Sequence, residues 1–131
     1  MKTATPLGKR ILVCDDCCVI AMGWAMMLSD AGYQVVGPVH AADKALEEAQ
    51  KSPPDLALLD IGLNGAVDGI SLATELVALG VPVIFVTGDY HRATTEGRGL
   101  ASDILLKPVR PSDLMNSVSA VIERGSCRVL G

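Results

Sequence analysis

Residues 54–65 read Pro54-Asp55-Leu56-Ala57-Leu58-Leu59-Asp60-Ile61-Gly62-Leu63-Asn64-Gly65. Leu56–Leu59 is a short, unbroken apolar run, preceded by two prolines and followed by two glycines. A strand covered on both faces of a parallel sheet begins and ends in this way. Asp60 therefore stands where a buried strand emerges into a Gly-rich loop. In open α/β sheets that carboxyl edge is where ligands and chemistry gather. An aspartate there also starts turns and caps helices, so its meaning depends on what else the chain brings to the same edge.

Working outward, Arg10–Asp16 reads as a first strand, with Ile11-Leu12-Val13-Cys14 continuously apolar and Asp15-Asp16 at its carboxyl end. A helix is expected from about Cys18 to Ala31, stopped by Gly32. Its sheet-facing stripe is Ile20, Trp24, Met27, Leu28 and Ala31. Its opposite face carries Cys18, Met22, Ala25 and Met26, where charged residues are usual. Tyr33–Val39 is a second strand. His40–Lys51 is a second helix, buried through Ala42, Ala45, Leu46 and Ala49. After the Asp60 strand, Asp68–Leu79 forms a third helix, inward through Ile70, Leu72, Ala73 and Leu76. Val81–Val86 is a fourth strand running into Thr87. Asp89–Ser102 has Gly97, Gly99, Thr94 and Thr95, so any helix there is short or irregular. Ile104–Leu106 is the fifth strand, followed by Lys107-Pro108. Pro111 opens a last helix to about Arg124, with Leu114, Val118, Val121 and Ile122 inward.

Five buried runs alternating with five helices predict a three-layer α/β fold with a doubly wound five-stranded parallel sheet. The expected strand order is 2-1-3-4-5, with the switch point between strands one and three. Residues 1–9 and 125–131 read as tails around a single domain over 10–124, a size that buries a good core.

Composition narrows the function classes. Hydrophobic residues make up 50% of the 131-residue chain, which argues for a compact domain. No apolar run approaches the ~20 residues of a membrane helix, and residues 1–10 lack a signal-peptide core. A cytoplasmic protein is expected, with no membrane association. A net charge of -4, four aromatics and no basic cluster argue against nucleic-acid binding. Cys14-x-x-Cys17 invites a redox reading, but Asp15 and Asp16 oppose thiolate formation. Cys127 is a single distant partner for any zinc site. Small apolar filler is the better account of Cys14.

With that strand order, Asp15 and Asp16 lie beside Asp60. Three crowded carboxylates repel, and a hard divalent cation relieves them. Mg2+ suits one or two carboxylates, several waters and phosphate oxygens. Gly62 could add its carbonyl as a ligand. Thr87 ends strand four at the same edge, and Lys107 ends strand five. Acids, a hydroxyl and an ammonium so arranged form a phosphoryl site in which Asp60 is the in-line nucleophile. No Gly-rich loop cradles a nucleotide, so bound ATP is not the expected donor.

These residues in this order resemble the receiver domain of two-component response regulators, over about Arg10 to Arg124. The shared motif parts are Asp15-Asp16, Asp60, Thr87 and Lys107-Pro108. The resemblance implies a flavodoxin-like fold, a phosphoryl group taken by Asp60 from a sensor histidine kinase or histidine phosphotransfer protein, and Mg2+ on Asp15, Asp16, Asp60 and the Gly62 carbonyl. It also implies a cis Lys107–Pro108 bond, and docking of the kinase's helical bundle on the first helix. Such a module is not an enzyme beyond its own phosphorylation and dephosphorylation. Pro82-Val83-Ile84-Phe85-Val86-Thr87-Gly88-Asp89-Tyr90 further resembles the FATGUY receiver subfamily, linked to general stress signalling in alphaproteobacteria.

Three departures bear on output rather than on phosphotransfer. Ile104 stands at the usual aromatic switch position, Asp89 replaces a hydrophobe, and the loop from Asp60 to Asp68-Gly69 is one residue longer than in the chemotaxis regulator. The expected protein is a single-domain switch, monomeric or weakly dimeric, signalling by protein contact or phosphate relay. The competing readings are a non-phosphorylated pseudo-receiver and a carboxylate-and-magnesium hydrolase. A missing acid or lysine would favour the first, and a second general acid with a shielding cap would favour the second. The sequence supplies neither.

Overall fold

The structure is a computed structural model, and it describes residues 8–62, 69–88, 90–97 and 99–130. Residues 1–7, 63–68, Asp89, Arg98 and Gly131 lie outside the described residues, so expectations for those positions stay expectations.

Five strands, β1 (Arg10–Cys14), β2 (Gln34–Val39), β3 (Leu56–Leu59), β4 (Val83–Thr87) and β5 (Asp103–Leu106), alternate with five helices. The helices are α1 (Cys18–Asp30), α2 (Ala42–Lys51), α3 (Gly69–Ala78), α4 (Tyr90–Glu96) and α5 (Pro111–Leu130). The sheet is parallel throughout, in the order β2-β1-β3-β4-β5. All of β3 and β4 and the apolar part of β1 are buried, whereas β2 and β5 are half-open edges. This is why the three central strands read as unbroken apolar runs.

Because side chains alternate along a strand, the sheet feeds two cores. Ile11, Val13, Leu56, Leu58, Ile84 and Val86 pack under α1 and α5, with Trp24, Leu28, Leu114 and Val118. Leu12, Cys14, Ala57, Leu59 and Phe85 pack under α2, α3 and α4, with Ala45, Leu72, Leu76 and Ala93.

Several expectations are corrected. Ala31, assigned to the buried stripe of α1, caps the helix end and is exposed, and Ala21 fills the stripe instead. His40 lies ahead of α2, whose N-cap is Ala41. The last helix does not stop at Arg124 but runs on through Gly125 to Leu130. An interior glycine costs only about 1 kcal/mol relative to alanine, so it does not by itself end a helix. The β1–β2 register shifts between Leu12 and Cys14, opposite Gly37-Pro38, where the peptide bond is cis and Gly37 has φ of 99°.

The poor helix proves short, at seven residues. Its C-terminal side is seated on the β4 aromatic: a β-carbon on Gly97 would stand 2.5 Å from Phe85 Cε2 and 2.9 Å from the Ala93 carbonyl oxygen. Gly97→Ala is therefore expected to lower stability by about 1–3 kcal/mol through overpacking. Gly23, inside α1, meets nothing within 4 Å. Gly23→Ala should raise stability by about 0.5–1 kcal/mol by reducing unfolded-state freedom. Urea melts of the two variants should move in opposite directions, and a shared direction would contradict this packing.

Candidate phosphoryl-acceptor site

The site is made by strand ends. Cys14 pairs with Leu59, and the Asp60 N–H donates to the Cys14 carbonyl at 3.1 Å, so the residues following β1 and β3 stand side by side. Thr87 pairs with Leu106, and the Lys107 N–H donates to the Thr87 carbonyl at 2.8 Å. Four consecutive sheet positions thus deliver Asp15, Asp60, Thr87 and Lys107 to one edge.

Asp15 is fully buried, and Asp60 and Thr87 are nearly so. One carboxylate oxygen each of Asp15, Asp16 and Asp60 lies within 4.8 Å of the others. The Lys107 ammonium bridges two of these acids, donating to Asp15 Oδ2 at 2.8 Å and to Asp60 Oδ2 at 3.0 Å. The other oxygens accept backbone N–H groups: Asp15 Oδ1 from Cys17 at 2.8 Å, and Asp60 Oδ1 from Gly62 at 3.0 Å. Lys107–Pro108 is cis.

Burial pushes the Asp15 carboxyl above its usual pKa. The Lys107 and Cys17 hydrogen bonds pull it down without cancelling the rise, and the nearby Asp60 charge adds to it. Burial works against the Lys107 charge, but its hydrogen bonds to Asp15 and Asp60 more than offset this and hold the ammonium above its ordinary value. One ammonium thus faces three acids, and burial leaves the most enclosed of them short of compensation. An all-oxygen set with this surplus of negative charge fits a hard divalent cation that keeps some of its waters. Asp15, Asp16 and Asp60 would hold Mg2+, and when bound it would offset negative charge on phosphoryl oxygens. Gly62 is seen here as an N–H donor to Asp60.

Two neighbours were not foreseen as parts of the site. His40 Nδ1 is 2.9 Å from the Asp15 carbonyl oxygen. That oxygen only accepts, so Nδ1 donates to it, and Nε2 lies 3.8 Å from Cys18 Sγ. Trp24, assigned to the core by periodicity, also lies against Lys107, with its ring centroid 5.7 Å from Nζ. The sequence signals were the single tryptophan and a histidine directly after a strand, but neither specifies which strand end is touched.

The cysteines divide sharply. Cys14 is buried in the sheet, and burial, reinforced by the charges of Asp15, Asp60 and Asp16, pushes its thiol up to about 12, whereas Cys17 and Cys18 are exposed. In a Cys127→Ser background, a thiol reagent at neutral pH should therefore modify two cysteines in the folded protein and a third only in denaturant. Labelling of Cys14 in the folded state would contradict its burial.

Of the expected docking residues, Met22 and Met26 are 56% and 65% exposed, Cys18 is exposed, and Ala25 is half-buried. Val19, not singled out from sequence, is more open than either methionine at 81%. Beside this face, Val19, Ile20, Gly23, Trp24, Met27 and the Lys107–Val109 segment line a groove of about 620 Å³.

A doubly wound sheet with an acid cluster and a lysine across its switch point defines a flavodoxin-like class that handles charged groups at the carboxyl edge. The model of the response regulator receiver domain matches residues 11–119, and the chain belongs to that family, the receivers of two-component systems. It is 30% identical over 119 residues to the transcriptional regulatory protein PdtaR of Mycobacterium tuberculosis, covering 88% of this chain and 58% of that one. It is 31% identical over 123 residues to the phyllosphere-induced regulator PhyR of Methylorubrum extorquens, covering 92% and 45%. The chain thus spans about half the length of these relatives. Against the chemotaxis protein CheY of Thermotoga maritima, identity is 25% over 119 residues, with 88% and 98% covered. A crystal structure of a CheY-like receiver domain protein from Methanospirillum hungatei superposes with a TM-score of 0.84 at 27% identity, covering 92% of this chain and 98% of that one. The family is a signalling module rather than an enzyme class. Among the described residues, no helix is long and apolar enough to cross a membrane.

Proposed function

We propose that this receiver takes a phosphoryl group on Asp60 from the phosphohistidine of a sensor histidine kinase or histidine phosphotransfer protein, in the cytoplasm and with Mg2+ as cofactor. The observation that carries this is the Lys107 ammonium, 2.8 Å from Asp15 and 3.0 Å from Asp60 in one pocket. An Asp60 carboxylate oxygen attacks phosphorus in line as the P–N bond breaks, and the imidazole nitrogen leaves with its electron pair. Lys107 moves its hydrogen bond from Asp60 to a phosphoryl oxygen, and the Thr87 hydroxyl, at the end of the adjacent strand, donates to another. The Gly62 N–H holds Asp60 in orientation. By its place in the motif, the Gly62 carbonyl would also be offered to the metal.

Incubation of the wild-type protein with Mg2+ and acetyl phosphate, read by mass spectrometry, tests the reading. One phosphoryl group lost on adding EDTA before the donor is expected. An unmodified protein under conditions that bind Mg2+ would favour a pseudo-receiver, a reading that the complete set of acids, alcohol and amine argues against.

The output is protein contact or onward relay, from a monomer or a weak homodimer. The kinase's helical bundle docks on α1 through Cys18, Met22, Ala25 and Met26, joined by Val19. A contiguous exposed apolar patch of this kind suits helix-on-helix packing. The double change Met22→Lys and Met26→Lys should slow transfer from the phosphorylated kinase while leaving acetyl phosphate labelling intact. Unchanged transfer would remove the docking assignment. The stretch Phe85-Val86-Thr87-Gly88 favours a place in the FATGUY subfamily.

A further inference from the structure

Lys107 is held from two directions. Its ammonium donates to Asp15 and Asp60 on the sheet side, at 2.8 and 3.0 Å. The same Nζ also lies over the Trp24 indole, 5.7 Å from its centroid. Trp24 is 5% exposed and the lysine side chain 21% exposed, so the contact between them lies largely out of solvent. Packing alone does not require an indole at this place, since Ile20, Met27, Leu105 and Val109 already supply aliphatic surface to the same core. What an aliphatic side chain lacks is a negative π-face for an ammonium.

We infer that Trp24 is a positioning residue for the phosphoryl transfer: its ring keeps the Lys107 ammonium over the acid cluster after Asp60, one of its two anchors, becomes the acceptor. This deepens the phosphoacceptor reading of the site and rests on it. Without the ring, Lys107 has rotamer freedom outward into the groove along α1, which Trp24 and Lys107 line together. With the ring, the cation is confined where charge develops on the transferred oxygens. Trp24 does not touch the reacting atoms and acts only through Lys107.

The test uses wild type, Trp24→Phe, Trp24→Leu, Lys107→Ala and the double variant Trp24→Leu/Lys107→Ala. Initial rates of Asp60 labelling by acetyl phosphate with Mg2+ are measured by mass spectrometry. Trp24→Leu should be about five- to tenfold slower, the fold-change that one partly dried cation–π contact is worth. Trp24→Phe should recover most of that loss. In the Lys107→Ala background, Trp24→Leu should change nothing further, because the contact it removes is already gone. An independent readout comes from the metal-free protein: the Lys107 side-chain protons should show an aromatic ring-current shift by NMR, kept with phenylalanine and lost with leucine. Equal labelling of wild type and Trp24→Leu would overturn the inference. So would an equal slowing by Trp24→Leu with and without Lys107, which would mean that the indole supports only the fold. If wild type itself is not labelled while the ring-shifted lysine signal is present, the phosphoacceptor reading fails and the contact between the two side chains stands.

Discussion

Asp60→Asn is expected to abolish labelling by either a phosphorylated kinase or acetyl phosphate, with no measurable rate left. The substitution is nearly isosteric, and its carbonyl oxygen can keep the 3.0 Å hydrogen bond from the Gly62 N–H, so the fold should survive. What disappears is the nucleophile, since an amide oxygen does not form a stable bond to phosphorus that water then spares. The variant also removes one of the three acids gathered within 4.8 Å, so Mg2+ should bind more weakly. Two measurements separate these effects: labelling at saturating Mg2+, and Mg2+ affinity by calorimetry. Stoichiometric labelling of Asp60→Asn at saturating Mg2+ would place the acceptor elsewhere and end this assignment.

Lys107→Ala should act in two directions at once. Labelling should fall by roughly 10²–10³-fold, the usual loss when one preorganised group that stabilises developing charge is removed. Mg2+ affinity should rise, because the amine 2.8 and 3.0 Å from two acids is a resident cation that an incoming one must work against. The metal-free variant should be less stable than wild type, as Asp15 would be buried without its compensating charge. Adding Mg2+ should restore that stability. A variant that binds Mg2+ more weakly than wild type would contradict the picture of lysine and metal competing for the same carboxylates.

Much of this site is legible in the amino-acid sequence because of how parallel sheets are covered. A strand buried on both faces must be apolar throughout, so the first polar residue after the run marks the strand end. Asp15, Asp60 and Lys107 directly follow β1, β3 and β5, and Thr87 closes β4. Strand order then sets them side by side. The parts not foreseen depend on three-dimensional overlap rather than on periodicity. Helical spacing puts Trp24 on the sheet-facing side of α1 but does not say that its ring reaches past the sheet to a lysine after β5. No local feature of the sequence separates His40 from the helix that follows it or marks the turn that brings its Nδ1 to the Asp15 carbonyl. Residues 125–131 read as a tail because the inward apolar stripe ends at Ile122, yet nothing there forbids a helix, and α5 continues to Leu130. The register shift in β2 did have a signal, since Gly37-Pro38 inside a β-branched run is the composition of a bulge on an edge strand. Ile104 packs at the margin of the core beneath α4, and the aromatic ring of that core comes from Phe85 on β4.

The chain has one tryptophan, and it sits beside the reactive amine. Its emission therefore reports from a single known place, without labels and without engineered probes. Stopped-flow mixing with a divalent cation, a phosphodonor mimic or a kinase domain should give separate optical transients, so the order in which they engage the receiver can be timed in the native molecule.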